Sequence, residues 1–246
     1  MPLDLTALLT ARAAQLNADL AHADAATILD TALRNASVGD LAMVSSFGAE
    51  SVVLLHLLAQ VAPDTPVLFL ETGMLFPETL TYQTRVAEML GLGDVRIIRP
   101  DTLDTFLHDP DGDLHDRDPD ACCAIRKTKP LELALLAFDG VITGRKRHQT
   151  GDRADMQIVE VDAGKLRINP LAGWTPQDIA DYMDAHDLPR HPLVAQGFAS
   201  IGCAPCTTKV APGEDPRAGR WRGRVKTECG IHFSGGRVYP GQNKDA

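Results

Sequence analysis

Four short apolar runs separated by helix-like stretches constrain this chain more than any other feature. DLAMVSSF (40–47), PVLFLETG (66–73), DVRIIRP (94–100) and GVITG (140–144) each read as a strand, PVLFLETG as a buried parallel one. A brief apolar run with a sharp polar end is what a strand covered on both faces requires. Between them AESVVLLHLLAQ (49–60), PETLTYQTRVAEMLG (77–91) and CCAIRKTKPLELALLAF (122–138) read as helices. Pro77 falls near a first turn and Gly91 just past an end, the usual asymmetry of helix termini. Pro130 marks a kink or boundary in the third helix. Such alternation implies an α/β fold on a parallel, doubly wound, Rossmann-like sheet. Ligands of such sheets collect outside the C-terminal strand ends, near a switch in strand order.

The flanks extend this plan. Leu5, Leu8, Leu9, Leu16 and Leu20, spaced helically among alanines, predict helices over 1–39. QIVEVDAGKLRINP (157–170) alternates about Ala-Gly and predicts an edge hairpin, and TPQDIADYMDAH (175–186) predicts a helix capped by Thr175. The Asp-rich stretch DPDGDLHDRDPD (109–120) reads as a loop. Beyond 190 the chain is rich in Gly, Pro, Arg and Cys and loses periodicity. The expected organisation is one domain over 1–246: helices at 1–39, an α/β core at 40–190 and a mobile Cys/Arg-rich segment at 191–246.

Composition narrows the function. With 44% hydrophobic and 23% charged residues the 246-residue chain can build a real core. It has no run approaching the roughly 20 apolar residues of a membrane span. MPLDLTALLTARAAQLNADL lacks the apolar block of a signal peptide, so a soluble cytoplasmic protein with no membrane partner is expected. A net charge of −9 argues against nucleic-acid binding by the surface at large.

Three clusters could carry chemistry. The turn SSFGAES (45–51), between first strand and helix, suits an anion-binding concavity of backbone N–H groups at a helix N-terminus. It has neither the Walker A nor the GxGxxG pattern. Ser46, Gly48, Glu50 and Ser51 match the S-x-G-x-[DE]-[SD] loop of the PP-loop adenine-nucleotide enzymes. After the fourth strand, Gly144, Arg145, Lys146, Arg147 and Arg153 place positive charge where a ligand would sit. The five cysteines form an adjacent pair (Cys122, Cys123), a C-x-x-C (Cys203, Cys206) and a singleton, Cys229. The two pairs could bind zinc or an iron–sulfur cluster, and a metal-free redox C-x-x-C or inert buried thiols stay open. Adjacent cysteines suit separate irons of a cubane better than one tetrahedral zinc. Cys229, in ECGIH (228–232) below an arginine-rich stretch, sits where cations favour the nucleophilic thiolate.

The run of SSFGAES, ETGMLFPET, CCAIRK, ITGRKR, INPLAGWT, IGCAPCT, GEDPRAGRW and ECGIH resembles the assimilatory adenylyl-sulfate (adenosine 5′-phosphosulfate) reductases, the iron–sulfur branch of the phosphoadenylyl-sulfate reductase family. The resemblance covers roughly residues 40 to 233. It implies a PP-loop-type nucleotide-binding core and thioredoxin-dependent (or glutaredoxin-dependent) reduction of adenylyl sulfate to sulfite and AMP. That reaction belongs to sulfate assimilation and cysteine biosynthesis. It further implies a [4Fe–4S] cluster on Cys122, Cys123, Cys203 and Cys206, and Cys229 as the nucleophile that becomes an S-sulfonate. Lys127, Arg145, Arg153, Arg217, Arg220 and His232 would neutralise the substrate. A homo-oligomer is compatible with it. Competing expectations are phosphoadenylyl sulfate as substrate, PP-loop ATP-pyrophosphatase chemistry, and a zinc-stabilised binding module without catalysis. The Asp-rich stretch departs from the family pattern, and no site residue is assigned there.

Overall fold

The computed structural model describes residues 5–224, 226 and 228. Helices α1 (Leu5–Asp19) and α2 (Ala25–Arg34) lead into strand β1 (Leu41–Ser45), helix α3 (Ser51–Val61), strand β2 (Val67–Leu70), helix α4 (Pro77–Leu90) and strand β3 (Val95–Ile98). Four helices follow, α5 (Thr102–His108), α6 (Leu114–Arg117), α7 (Pro119–Cys123) and α8 (Lys129–Leu135), before strand β4 (Gly140–Thr143). The hairpin of β5 (Val159–Asp162) and β6 (Lys165–Ile168) and helix α9 (Pro176–Ala185) complete the regular elements.

The sheet has the order β3-β2-β1-β4-β6-β5. All neighbours are parallel except β5, which pairs antiparallel with β6 at the edge, as the alternation about Ala163-Gly164 leads one to expect. The chain winds from β1 outward through β2 to β3, then crosses back to β4 on the other side of β1. Strand order therefore reverses between β1 and β4, which opens a crevice at their C-terminal ends.

Burial explains the elements. Strands β2 and β4 are buried along their whole length, and α3 buries Val52, Val53, Leu54, Leu55, Leu57 and Leu58 because it packs on α2, α4 and α9. Helix α4 ends at Gly91 with φ 63°, and Thr175 caps α9 through a reciprocal pair with Asp178. In α1 only Leu9, Ala13 and Leu16 turn inward, whereas Leu5 and Leu8 face solvent despite their helical spacing.

Two expectations need correction. The Asp-rich stretch is not simply a loop: it carries α6 and the start of α7, and Asp118 caps α7 by accepting from the Asp120 and Ala121 amides. The helix read over 122–138 is interrupted by a π turn at Ala124–Thr128. Pro130 has no N–H to offer the Arg126 carbonyl, so the ladder widens, and the Lys129 amide reaches back five residues to Ala124.

Past residue 190 the chain holds itself by sparse backbone pairing. Leu75 bridges to Cys203, the Ala204 amide donates to Met74 O at 2.8 Å, and the segment doubles back where Thr208 N meets Gly219 O at 2.8 Å.

Candidate active site

The crevice between β1 and β4 widens into a cavity of about 550 Å³. The ends of β1, β2 and β4 form its floor, and residues 199–203 and 215–221 cover it. Ser46, Gly48, Glu50, Ser51, Lys127, Gly144, Arg145, Arg153, Arg217 and Arg220, drawn from four separate stretches of sequence, all line it. Cys229 and His232 lie outside the described residues.

The turn after β1 is organised by its own hydroxyls. Ser45 Oγ accepts from the Phe47 amide at 3.2 Å, and Ser51 Oγ accepts from the Gly48 amide at 3.0 Å. Those two amides are therefore spent inside the turn, contrary to an open nest of backbone donors. Short hydroxyl side chains compete well for nearby amides. Phe47 adopts φ 46°, a costly conformation for a non-glycine residue. Its fully buried ring, edge-on to Phe69 at 5.2 Å, holds it there.

Charge is concentrated at the cavity. Seven lysines and arginines line it against three carboxylates, in a chain whose net charge is −9. Several cations are held by an internal carboxylate. Lys146 Nζ lies 2.8 Å from Glu50, Arg145 pairs with Glu160, and Arg153 lies 2.6 Å from Glu228. Arg217 approaches the same Glu228 at 3.4 Å. Burial and the neighbouring Arg167 push the Arg145 guanidinium below its ordinary value, opposed by Glu160. Burial likewise lowers Arg153, opposed by Glu228. Arg147, by contrast, leaves the patch: it is exposed and donates to the Met156 carbonyl at 2.8 Å.

Arg220 stacks over Trp221, with its guanidinium carbon 4.5 Å from the ring centroid. A Cβ at Gly202 would stand 2.3 Å from an Arg220 nitrogen, so a larger residue there would displace the guanidinium. Arg220 Nε and Trp221 Nε1 are buried with no hydrogen-bond partner among the described residues. The Trp221 amide donates to the Cys206 carbonyl at 3.1 Å, which places this pair of side chains beside the C-x-x-C turn.

The topology gathers the four paired cysteines. Cys122 and Cys123 end α7, and Cys203 and Cys206 flank a single 3₁₀ turn. All four are free thiols, and Cys203 also lines the cavity. Thr72 Oγ1, after β2, lies 3.3 Å from Cys203 Sγ. Burial pushes the Cys122 thiol up to about 12, reinforced by Cys123, Cys203 and Cys206. Burial and Cys203 raise Cys206 too, opposed by Lys127, Arg220 and Arg224. Among the described residues no three Cys, His, Asp or Glu side chains converge on one point as ligands of a single ion would.

Several residues in the site or supporting it from behind escape a reading of the sequence. Asp109 is one: buried, it holds Arg126 at 2.7 Å and accepts from the Leu114 amide, and Arg126 in turn donates to Thr72 O. Its place among so many solvated aspartates hides it. Glu228 is another, visible only as the first letter of ECGIH. Trp221 in the lining shows only as the last letter of GEDPRAGRW, and Gln149 and His148 gave no signal.

A cation-rich crevice at the switch point of a parallel sheet, with Cys203 in its wall, is an arrangement suited to an anionic ligand. Residues 40–209 match the phosphoadenosine phosphosulfate reductase domain, and the chain belongs to that family. It is 47% identical to the adenosine 5′-phosphosulfate reductase of Mesorhizobium japonicum, over 92% of this chain and 89% of that one. It is 49% identical to the enzyme of the same name from Chelativorans sp., over 91% of each chain. A phosphoadenosine 5′-phosphosulfate reductase of Gloeobacter violaceus is 44% identical over 78% of this chain and 82% of its own. In fold the chain is similar to the phosphoadenylyl-sulfate reductase of Candida auris, with a TM-score of 0.68 at 23% identity over 80% of this chain and 96% of that one. It is also similar to Candida glabrata FMN adenylyltransferase, with a TM-score of 0.54 at 16% identity over 84% and 79% of the chains.

Proposed function

We propose that this protein is an adenylyl-sulfate reductase of sulfate assimilation, an oxidoreductase that turns adenylyl sulfate into sulfite and AMP. One observation carries the reading: every described candidate for substrate contact lines a single cavity, and Cys203 of the gathered thiols stands in its wall. The names of the relatives favour the substrate without a 3′-phosphate, and phosphoadenylyl sulfate is the competitor.

The chemistry asks mainly for charge neutralisation and orientation, because AMP is a good leaving group. Lys127, Arg145, Arg153, Arg217 and Arg220 supply that charge, with His232 as a further candidate. The turn through Ser46, Gly48, Glu50 and Ser51 shapes the nucleotide side. The Cys229 thiolate attacks the sulfate sulfur, the bond from sulfur to the bridging oxygen breaks, and AMP departs with the electron pair. The product is an S-sulfonate on Cys229. A reduced dithiol of the thioredoxin or glutaredoxin kind then attacks the Cys229 sulfur and releases sulfite. The second donor thiol resolves the mixed disulfide, so two electrons pass from dithiol to sulfur. A reduced-thiol cytoplasm is the compartment that supplies such a donor. No helix among the described residues is long and apolar enough to cross a membrane.

The thiol set suits a [4Fe–4S] cluster on Cys122, Cys123, Cys203 and Cys206. As ligands these four cysteines would be thiolates whose charge the irons offset, and neighbouring Cys122 and Cys123 can each take a separate iron. The orphaned Trp221 Nε1 and Arg220 Nε beside the C-x-x-C turn are donors of the sort sulfur ligands accept. When bound, such a group supplies fixed charge and rigidity behind the cavity wall. Measuring sulfite release from adenylyl sulfate and from phosphoadenylyl sulfate, with reduced thioredoxin, tests the proposal. Higher kcat/KM on the former is expected, and turnover of neither would overturn the reading.

A further inference from the structure

Glu228 is the unusual carboxylate of the cavity. Its side chain is 5% exposed, and it lies 2.6 Å from Arg153 Nη2 and 3.4 Å from Arg217 Nη2. Thr150 Oγ1 donates to it at 3.3 Å. These partners come from two walls of the crevice, the loop after β4 and the covering segment at 215–221. A buried carboxylate is tolerable only when cations and donors satisfy it, and here they come from both sides. Two guanidiniums against one carboxylate leave a net positive charge. The same arginines can therefore hold this glutamate and still attract an anionic ligand. In sequence Glu228 stands immediately before Cys229.

We propose that Glu228 is a positioning residue: its carboxylate, held by Arg153, Arg217 and Thr150, anchors the chain at the residue immediately before Cys229. Arginines that gather the substrate's charge thereby also hold the residue to which the nucleophile is joined. This rests on Cys229 being the nucleophile of the proposed reaction. The alternative role for the same contacts is an internal competitor, a carboxylate that must leave the arginines before the nucleotide binds. A positioning residue changes the rate of the bond-forming step and leaves nucleotide affinity nearly untouched. A competitor does the reverse, since removing it tightens binding.

Glu228→Gln preserves size while removing the charge, so it is the variant to make, with iron content recorded to establish that the protein is intact. Three readouts are taken with full-length protein. The first is the single-turnover rate of S-sulfonate formation on Cys229 from adenylyl sulfate without reductant. The second is the affinity for AMP, and the third is amide hydrogen exchange across 221–230. Loss of a buried charge contact predicts a fall of about tenfold or more in the rate. AMP affinity stays within about threefold, and exchange across 221–230 quickens at least about fivefold, by the same loss of a local anchor. A rate within twofold of the parent, or AMP binding tightened about tenfold, would overturn the assignment. If the parent enzyme forms no adduct on Cys229 the proposed reaction fails by itself, and the exchange arm still decides whether Glu228 is an anchor. Unchanged exchange in the variant would then refute it.

Discussion

The α/β core at 40–190 and the stretch from 191 to 228 hold themselves by different means. In the core, a continuous apolar interior fixes the strands: Leu54, Leu55, Leu58, Phe69, Ile142 and Ile168 are all at most 1% exposed. The later stretch has few regular elements and depends on paired charges and single backbone bonds. Burial of apolar area is non-directional and tolerant of small shifts, whereas an ion pair or a metal ligand is placed to within a fraction of an ångström. The contrast separates tasks. One region makes the crevice and most of its cations, and the other covers it and adds Arg217, Arg220 and Cys203.

The largest effect that would break this division is at Cys229. Cys229→Ser should abolish both adduct and turnover, a loss of at least about a thousandfold, because serine is a far poorer nucleophile at neutral pH. Iron content should stay at the parent level, about four irons per chain for a full cubane. Mass spectrometry of the adduct-bearing peptide checks it. An adduct on Cys203 or Cys206 would exchange the roles of nucleophile and ligand.

Next in size is the loss of a thiol from the gathered set. Cys203→Ser should lower bound iron and labile sulfide together, and activity with them. Cys203 is both a proposed ligand and part of the cavity wall. Stoichiometric zinc without labile sulfide in active parent protein would refute the cluster.

Arg220→Ala follows, with kcat/KM reduced about ten- to a hundredfold while iron is retained, the usual span for a charge contact to a phosphate-like group. Steady-state kinetics beside iron analysis makes the check. Parent kinetics would reduce Arg220 to a packing partner of Trp221.

How far the sequence discloses this molecule follows the same contrast. Periodicity and strand-length apolar runs make β1 to β4, the edge hairpin and the capped α9 readable, because the physics that forms them is local and repeated. Motif identity made the cavity's cations readable as well. What stayed hidden depends on distant partners. Nothing local distinguishes Asp109, buried against Arg126, from the solvated aspartates after it. The role of Glu228 exists only once residues 150, 153 and 217 are brought around it. The π turn required counting hydrogen bonds past Pro130, which a helical pattern alone does not do. Local hydroxyls likewise spend the amides of Phe47 and Gly48, a competition invisible in a turn motif.

A smaller expected effect sits at the junction of the two regions, on His191. It is 1% exposed, accepts from the Leu193 amide through Nδ1, and contacts Thr79 Oγ1 through Nε2 at 3.1 Å. Burial pulls its pKa down to about 4, opposed by Glu78. The folded state thus prefers the neutral ring, so its stabilising contribution is complete above the unfolded value near 6.5. It is lost as pH falls from 6.5 toward 4. By pH 5 the loss is about 2 kcal/mol. Urea unfolding at pH 7.5 and pH 5, compared between parent and His191→Gln, measures it, and equal pH dependence in both would remove His191 as the source.

The smallest effect lies where the Asp-rich stretch meets the basic tail of the covering segment. Arg224 pairs with Asp116 and Lys226 with Asp120, and Arg224 also donates to the Asp116 carbonyl at 2.7 Å. Both aspartates are mostly exposed, at 72% and 66%, so solvent and salt screen their charge. Their partners Arg224 and Lys226 lie four and two residues before Glu228, which makes these pairs the exposed counterpart of that anchor. Asp116→Asn combined with Asp120→Asn should lower turnover by less than about threefold at low ionic strength, the scale of screened surface pairs. At about 0.5 M salt, where the screening length is only a few ångströms, parent and variant should coincide. Turnover measured across a salt series decides the matter. A deficit of tenfold, or one that persists at high salt, would show that this acidic strip orders the tail as firmly as the buried pairs do, and the contrast between exposed and buried anchoring would fail.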